Sequence, residues 1–213
     1  LERQYTDYRK LIDVEQPDIV SIATQPEGRA EIVVYAAEHG VKAIFAEKAM
    51  AASMAEADAI VEACEKHGVA FNLGTQRRWH PGFAKIREII DSGRLGAVQS
   101  IVFNGSGLFN GSSHYYDNLL FLNGDRRALW LQGYLTDGNW SIEGDKLNQD
   151  PVGGAIIQFE NNVTAHAVLP RREVEWEVNC EKGRLTAWKW GVQRMYEEGP
   201  PVYLHIRPTV EVD

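Results

Sequence analysis

Three short apolar runs set apart by two helix-patterned stretches constrain the fold of this chain more than any other feature. Asp18 to Thr24 (DIVSIAT), Lys42 to Ala46 and Val69 to Leu73 have strand length and lack solvent-facing alternation. That is the pattern of strands buried on both faces of a sheet. Arg29 to Glu38 reads as a helix stopped by Gly40. Ser53-Met54-Ala55-Glu56 is a capping box, with serine at the N-cap and glutamate at the third helical position. The helix it opens carries Ala57, Ile60, Val61 and Cys64 on one stripe and ends at Gly68. Strand-helix-strand-helix-strand with short connections requires right-handed crossovers and a parallel sheet.

The character then changes. Pro81 suits a first helical position, with Phe83, Ile86 and Ile90 on one face and Gly93 as the stop. From Ala97, six segments alternate or run apolar at strand length: 98–103, 129–135, 155–159, 163–169, 174–179 and 185–190. Asn161-Asn162 and Lys182-Gly183 are turn signals between them, and one helix, Ser113 to Leu122, interrupts the series. The spacing predicts a parallel α/β domain over residues 1–79 and an α+β domain over 80–213 with a mostly antiparallel open sheet. Trp176, Trp188 and Trp190 fall at strand period and are expected to pack on that sheet or at an interface. The chain opens on Leu1, and Tyr8, Leu11 and Ile12 read as the tail of a helix, so the amino end is expected to be cut.

Charge narrows the function classes. A formal net charge of -8 argues against a nucleic-acid surface, and Arg77-Arg78 is too small a patch to reverse it. No apolar stretch is long enough to cross a bilayer, so no membrane partner is expected. Cys64 and Cys180 have no metal-ligand spacing, and no metal is expected; a reduced, cytoplasmic protein is the expectation. Asn104, Asn110, Asn139 and Asn162 each open an Asn-x-Ser/Thr match and are read as turn residues.

Ligands of open α/β sheets bind at the carboxyl ends of the strands. There the sequence places Thr24-Gln25-Pro26, Glu47-Lys48 and Gln76-Arg77-Arg78. Thr24 offers a hydroxyl, Pro26 a rigid wall, Gln76 an amide and Lys48 an ammonium. The ordinary alternative for Glu47-Lys48 is an exposed ion pair worth under about 1 kcal/mol. His114 and Asp117 stand one turn apart on the second-domain helix, and such a histidine suits acid-base work near neutral pH. The alternative is a histidine packed at the helix start. Gly105-Ser106-Gly107-Leu108-Phe109-Asn110-Gly111 imitates a nucleotide loop, but its third glycine comes one residue late for G-x-G-x-x-G. It reads as a flexible substrate-side loop.

The ordered set of these segments resembles the glucose-fructose oxidoreductase, inositol dehydrogenase and MocA-like (Gfo/Idh/MocA) family. DIVSIATQPEGRAEIVVYAAEHGVKAIFAEKAMA is similar to its strand, Thr-Pro loop, helix and Glu-Lys-Pro signature strand. GTQRRWHPGFAKIREIIDSGRLGAV is similar to its arginine-rich entry to the second domain, HYYDNLLFLNGD to its histidine helix, and FENNVTAHAVLP with CEKGRL to its sheet. The resemblance implies a partial Rossmann-like sheet whose first βαβ unit lies outside this chain. It implies hydride transfer between NAD or NADP and a hydroxyl carbon of a sugar, polyol or related substrate. Lys48 and His114 would be catalytic. Thr24, Pro26, Arg29, Glu47, Lys48, Gln76 and Arg78 would line the cofactor, and Lys48, Asn110, His114 and Asp117 the substrate. The second-domain sheet would join a homo-oligomer. Three positions depart from the pattern: Ala49 replaces the signature proline, Arg29 a histidine and Asn110 an aspartate. An NAD-dependent glycosidase or lyase, or a binding module that kept the fold without the chemistry, are the alternative functions.

Overall fold

The computed structural model describes residues 3–107, 111–136, 138, 140–144, 146–147, 149–188, 192–197 and 202–205. Asn110, Asn139, Trp190 and the side chain of Trp188 lie outside the described residues. The chain divides into two compact units, residues 1–75 with 140–149, and residues 76–139 with 150–213.

The first unit contains helix α1 (Tyr8–Glu15), strand β1 (Ile19–Ile22), helix α2 (Arg29–Glu38), strand β2 (Ala43–Ala46), helix α3 (Met54–His67) and strand β3 (Ala70–Leu73). Helix α1 has its own N-cap, Asp7, whose carboxylate accepts the Arg9 N–H at 2.9 Å, so it is a complete short helix and not the tail of another. The strands form a parallel sheet in the order β1-β2-β3, with Ile19 opposite Ala43 and Ala43 opposite Ala70. Because the order is sequential and each crossover is right-handed, both helices fall on one face. There Val33, Ala36, Ile60 and Cys64 bury Ile22, Ile44 and Ala46. The other face is open: Ile19 is 70% exposed and Phe45 42%. Burial of these strands on both faces, expected from their composition, is therefore not found, since this chain's helices cover only one.

The serine half of the capping box forms as predicted, and the glutamate returns one residue earlier than the N-cap. Ser53 Oγ accepts the Glu56 N–H at 3.2 Å, and Glu56 reaches back to the Ala52 N–H at 3.0 Å. The buried stripe of α3 differs by one position from the expected one, with Ala63 inside and Val61 exposed. A two-stranded ribbon, β4 (Ile142–Glu143) with β5 (Lys146–Leu147), also belongs to this unit.

The second unit begins with a 3₁₀ turn, Gln76–Trp79, and helix α4 (Pro81–Asp91), and it contains helix α5 (Ser112–Leu122). Its strands are β6 (Val98–Asn104), β7 (Ser106–Gly107), β8 (Ala128–Leu135), β9 (Val152–Phe159), β10 (Thr164–Val168), β11 (Trp176–Cys180), β12 (Gly183–Trp188), β13 (Val192–Glu197) and β14 (Val202–His205). They pair in the order β14-β13-β12-β11-β6-β10-β9-β7, with β8 also on β9. Only β6–β10 is parallel among these pairs. Alternate residues of the central strands (Ile101, Phe103, Ala165, Trp176, Val178) meet Phe83 and Ile86 of α4 and Tyr115, Leu119 and Leu122 of α5. Trp176 stacks on Phe103 and Tyr115 at centroid distances of 5.1 and 5.7 Å, so it is core packing. Arg87 of α4 donates to the last carbonyls of α5, those of Phe121 and Leu122, at 3.2 and 3.1 Å, filling acceptors that a helix end leaves open.

Two expectations are corrected here. Asn104 is no turn residue: it ends β6, buried, and its amide exchanges bonds of 2.9 and 3.0 Å with the backbone of Arg172. The glycine-rich imitation of a nucleotide loop is in part a strand, since Ser106–Gly107 pairs with β9. A Cβ on Gly105 would lie 2.6 Å from the Gly153 carbonyl, so close backbone approach explains that glycine. Leu108, Phe109 and Asn110 lie outside the described residues. No described helix is long and apolar enough to cross a membrane.

Candidate functional site

The carboxyl ends of β1, β2 and β3 are laced together by backbone bonds that continue past the strands. The Glu47 N–H reaches the Ile22 carbonyl at 2.9 Å, and the Gly74 N–H reaches that of Ala46 at 2.7 Å. A Cβ on Gly74 would stand 3.2 Å from Glu47 Oε2 and 3.3 Å from Glu47 Cα, so the loop after β3 lies directly against that after β2. Thr24 is exposed, while Pro26, Glu47 and Lys48 are half-buried on the same rim. The Lys48 N–H bonds the Glu47 carboxylate at 3.3 Å, and the Lys48–Ala49 peptide is cis.

Arg29, the first residue of α2, is fully buried beneath this rim. Its Nη1 donates to the carbonyls of Glu47 and Ala49, and its Nη2 to that of Thr24. Burial pulls the guanidinium below its usual value, with Glu47 and Glu27 opposing. Expected to line the cofactor, Arg29 instead turns its donors to the backbone. Its acceptors are main-chain carbonyls, which carry no sequence signature.

Of the residues expected at one site, Thr24, Pro26, Arg29, Glu47 and Lys48 stand together in the first unit, while Gln76, Arg78, His114 and Asp117 belong to the second. Asn110 lies outside the described residues. Gln76 is exposed and His114 is buried in the first turn of α5. Asp117 takes a fork of bonds from Arg78, 2.9 Å from Nε and 2.6 Å from Nη2. This bond raises the pKa of Arg78, against the opposing effect of burial. Tyr115, next to His114, donates to Glu175 and accepts from Arg171, each at 3.0 Å, with the Arg77 guanidinium 4.9 Å from its ring centre. The sequence reading missed this cluster, because its members are scattered from residue 77 to residue 175. Among the described residues, no group of His, Cys, Asp and Glu is placed to hold a metal.

The first-unit rim brings the hydroxyl of Thr24, the carboxylate of Glu47 and the ammonium of Lys48 to the carboxyl ends of parallel strands, where open α/β sheets bind their ligands. Comparison with known proteins agrees. The family described as "Oxidoreductase family, NAD-binding Rossmann fold" matches residues 2–75. Inositol 2-dehydrogenase of Salmonella typhimurium is 34% identical over 95 residues, which are 44% of this chain and 28% of that protein. 2,7-Anhydro-N-acetylneuraminate hydratase of Mediterraneibacter gnavus is 36% identical over 93 residues, 44% of this chain and 25% of that protein. The crystal structure of an inositol dehydrogenase homolog from Azotobacter vinelandii, complexed with NADH and myo-inositol, shares the fold over 97% of this chain and 63% of its own, with a TM-score of 0.80 and 16% identity. The matches to the curated relatives thus span only about a quarter of their length. The family-level match is thus confined to residues 2–75, and the likeness of fold extends across both units.

Proposed function

We propose that the protein is an NAD(P)-dependent oxidoreductase moving a hydride between the nicotinamide and a hydroxyl carbon of a sugar or polyol. The observation that carries this reading is Lys48, half-buried at the carboxyl end of β2 beside Thr24, its backbone held on either side. A nicotinamide cofactor, when bound, takes or gives the hydride. Thr24, Pro26 and Glu47 would hold it on the first-unit rim. As the alcohol carbon is oxidised, its hydroxyl proton must also leave. Lys48 Nζ in its amine form accepts that proton and returns it in the reverse direction. His114 and Asp117, the latter already fixed by Arg78, are assigned to the substrate side, as the family resemblance implies. The first unit would serve the cofactor and the second the substrate and self-association.

In the full-length protein, Lys48→Ala is expected to lower kcat for NAD-dependent oxidation of myo-inositol or a related polyol at least about tenfold, since general acid-base catalysis contributes on the order of 10²–10⁴. Unchanged turnover in a folded variant would sink the assignment. One relative is named a hydratase, which favours a second reading within the family: transient oxidation that assists bond making or breaking. Product analysis separates the two, because no net NADH would accumulate in that case.

A further inference from the structure

We propose that Arg29 is a positioning residue that sets the aim of Lys48 by anchoring the backbone on both sides of it. The proposal rests on the reading of Lys48 as the proton-transfer residue.

The position is an expensive one for a cation. Arg29 opens α2, where the helix dipole disfavours positive charge, and it is 0% exposed, where a charge must be hydrogen-bonded to be tolerated. Its Nε is buried without an acceptor, a further cost. What the residue gains is specific. Nη1 holds the carbonyls of Glu47 and Ala49, the residues immediately before and after Lys48. Nη2 holds the carbonyl of Thr24 in the loop after β1. One rigid, planar group therefore fixes the main chain entering and leaving Lys48, and ties it to the neighbouring loop.

The lysine side chain is a flexible four-carbon stem, so the position of its amine depends on where its Cα is launched. A misplacement of about 1 Å at a reacting group can cost on the order of 10² in rate. Lysine at position 29 would keep the charge but replace the fork by a single nitrogen, which cannot span carbonyls of two loops in one plane. The rim would then loosen with the charge conserved.

The test compares Arg29→Lys and Arg29→Gln with the unaltered full chain by amide hydrogen exchange without cofactor, thermal unfolding and steady-state turnover with NAD and a polyol. The expected result for whichever variant folds is exchange at residues 46–51 and 23–27 at least about tenfold faster, with the interior of α3 unchanged. The same variant should lose kcat at least about tenfold. Protection unchanged at 46–51 would overturn the proposal, and so would a uniform loss across the unit, which is what a purely structural role gives. Turnover retained despite a loosened rim would remove the positioning role alone. Turnover retained by Lys48→Ala would instead remove the reading of Lys48, and the catalytic half of this proposal with it.

Discussion

Lys48 and Arg29 differ in how far a sequence can show what they do. Lys48 is legible because a short apolar run ending on a polar pair locates a strand's carboxyl end, and ligand crevices lie there. The role of Arg29 is not, because its partners are carbonyls 5, 18 and 20 residues away and every residue has a carbonyl. Asn104 was equally hidden: an Asn-x-Ser motif looks the same in a turn and in a buried strand end. The two cysteines give a prediction at this scale. Burial, with Glu181 nearby, pushes the Cys180 thiol up to about 11, and burial raises that of Cys64. At pH 8 only about 10⁻³ of Cys180 would be thiolate, and the thiolate is the reactive form. Neither cysteine should react with an aromatic disulfide reagent in the native protein at pH 8, and both should react in denaturant. Stoichiometric labelling of the native state would contradict the burial of both.

Elements were read best where their signals are local. Helix α2 runs Arg29–Glu38, as the pattern predicts, and α3 begins at its capping box and ends at Gly68 in the left-handed conformation, φ 67°. The strands β13 and β14 were not foreseen, because Gln193, Arg194 and Glu197 break the apolar signal that marks a strand. Docking between elements was harder still. Arg78 in the 3₁₀ turn and Asp117 on α5 were given separate roles from sequence, yet they form one ion pair with side chains 23% and 16% exposed. Such a pair lies between a surface bridge, worth up to about 1 kcal/mol, and a buried one, whose disruption costs about 3–5 kcal/mol. Arg78→Met should therefore destabilise the protein by about 2 kcal/mol, lowering Tm by about 4–8 °C for a chain of this size. Arg78→Met with Asp117→Leu should cost less than the two single changes added together. Strict additivity in denaturant titrations would show that the pair does not couple the turn to the helix.

At the scale of the whole molecule, strand β8 is the outlier. All eight of its residues are exposed, among them Leu129, Trp130, Leu131 and Tyr134. Ile156 of β9, opposite Gln132, adds to the face that carries Trp130 and Tyr134. Exposed apolar groups clustered on one strand suit the self-association proposed above. Sedimentation should find an oligomer that Trp130→Glu with Ile156→Glu converts to monomer, with secondary structure retained by circular dichroism. A monomeric unaltered protein would refute the proposal. By itself the sequence determined the parallel α/β start, the antiparallel second half and the lysine at a strand end, because periodicity, caps and turn residues act over a few neighbours. Only the tertiary structure decided that the first sheet is covered on one face, that Arg29 serves the backbone around Lys48, and that β8 is left open. Those outcomes depend on which distant groups meet, and burial and hydrogen-bond partnership exist only once the chain has folded.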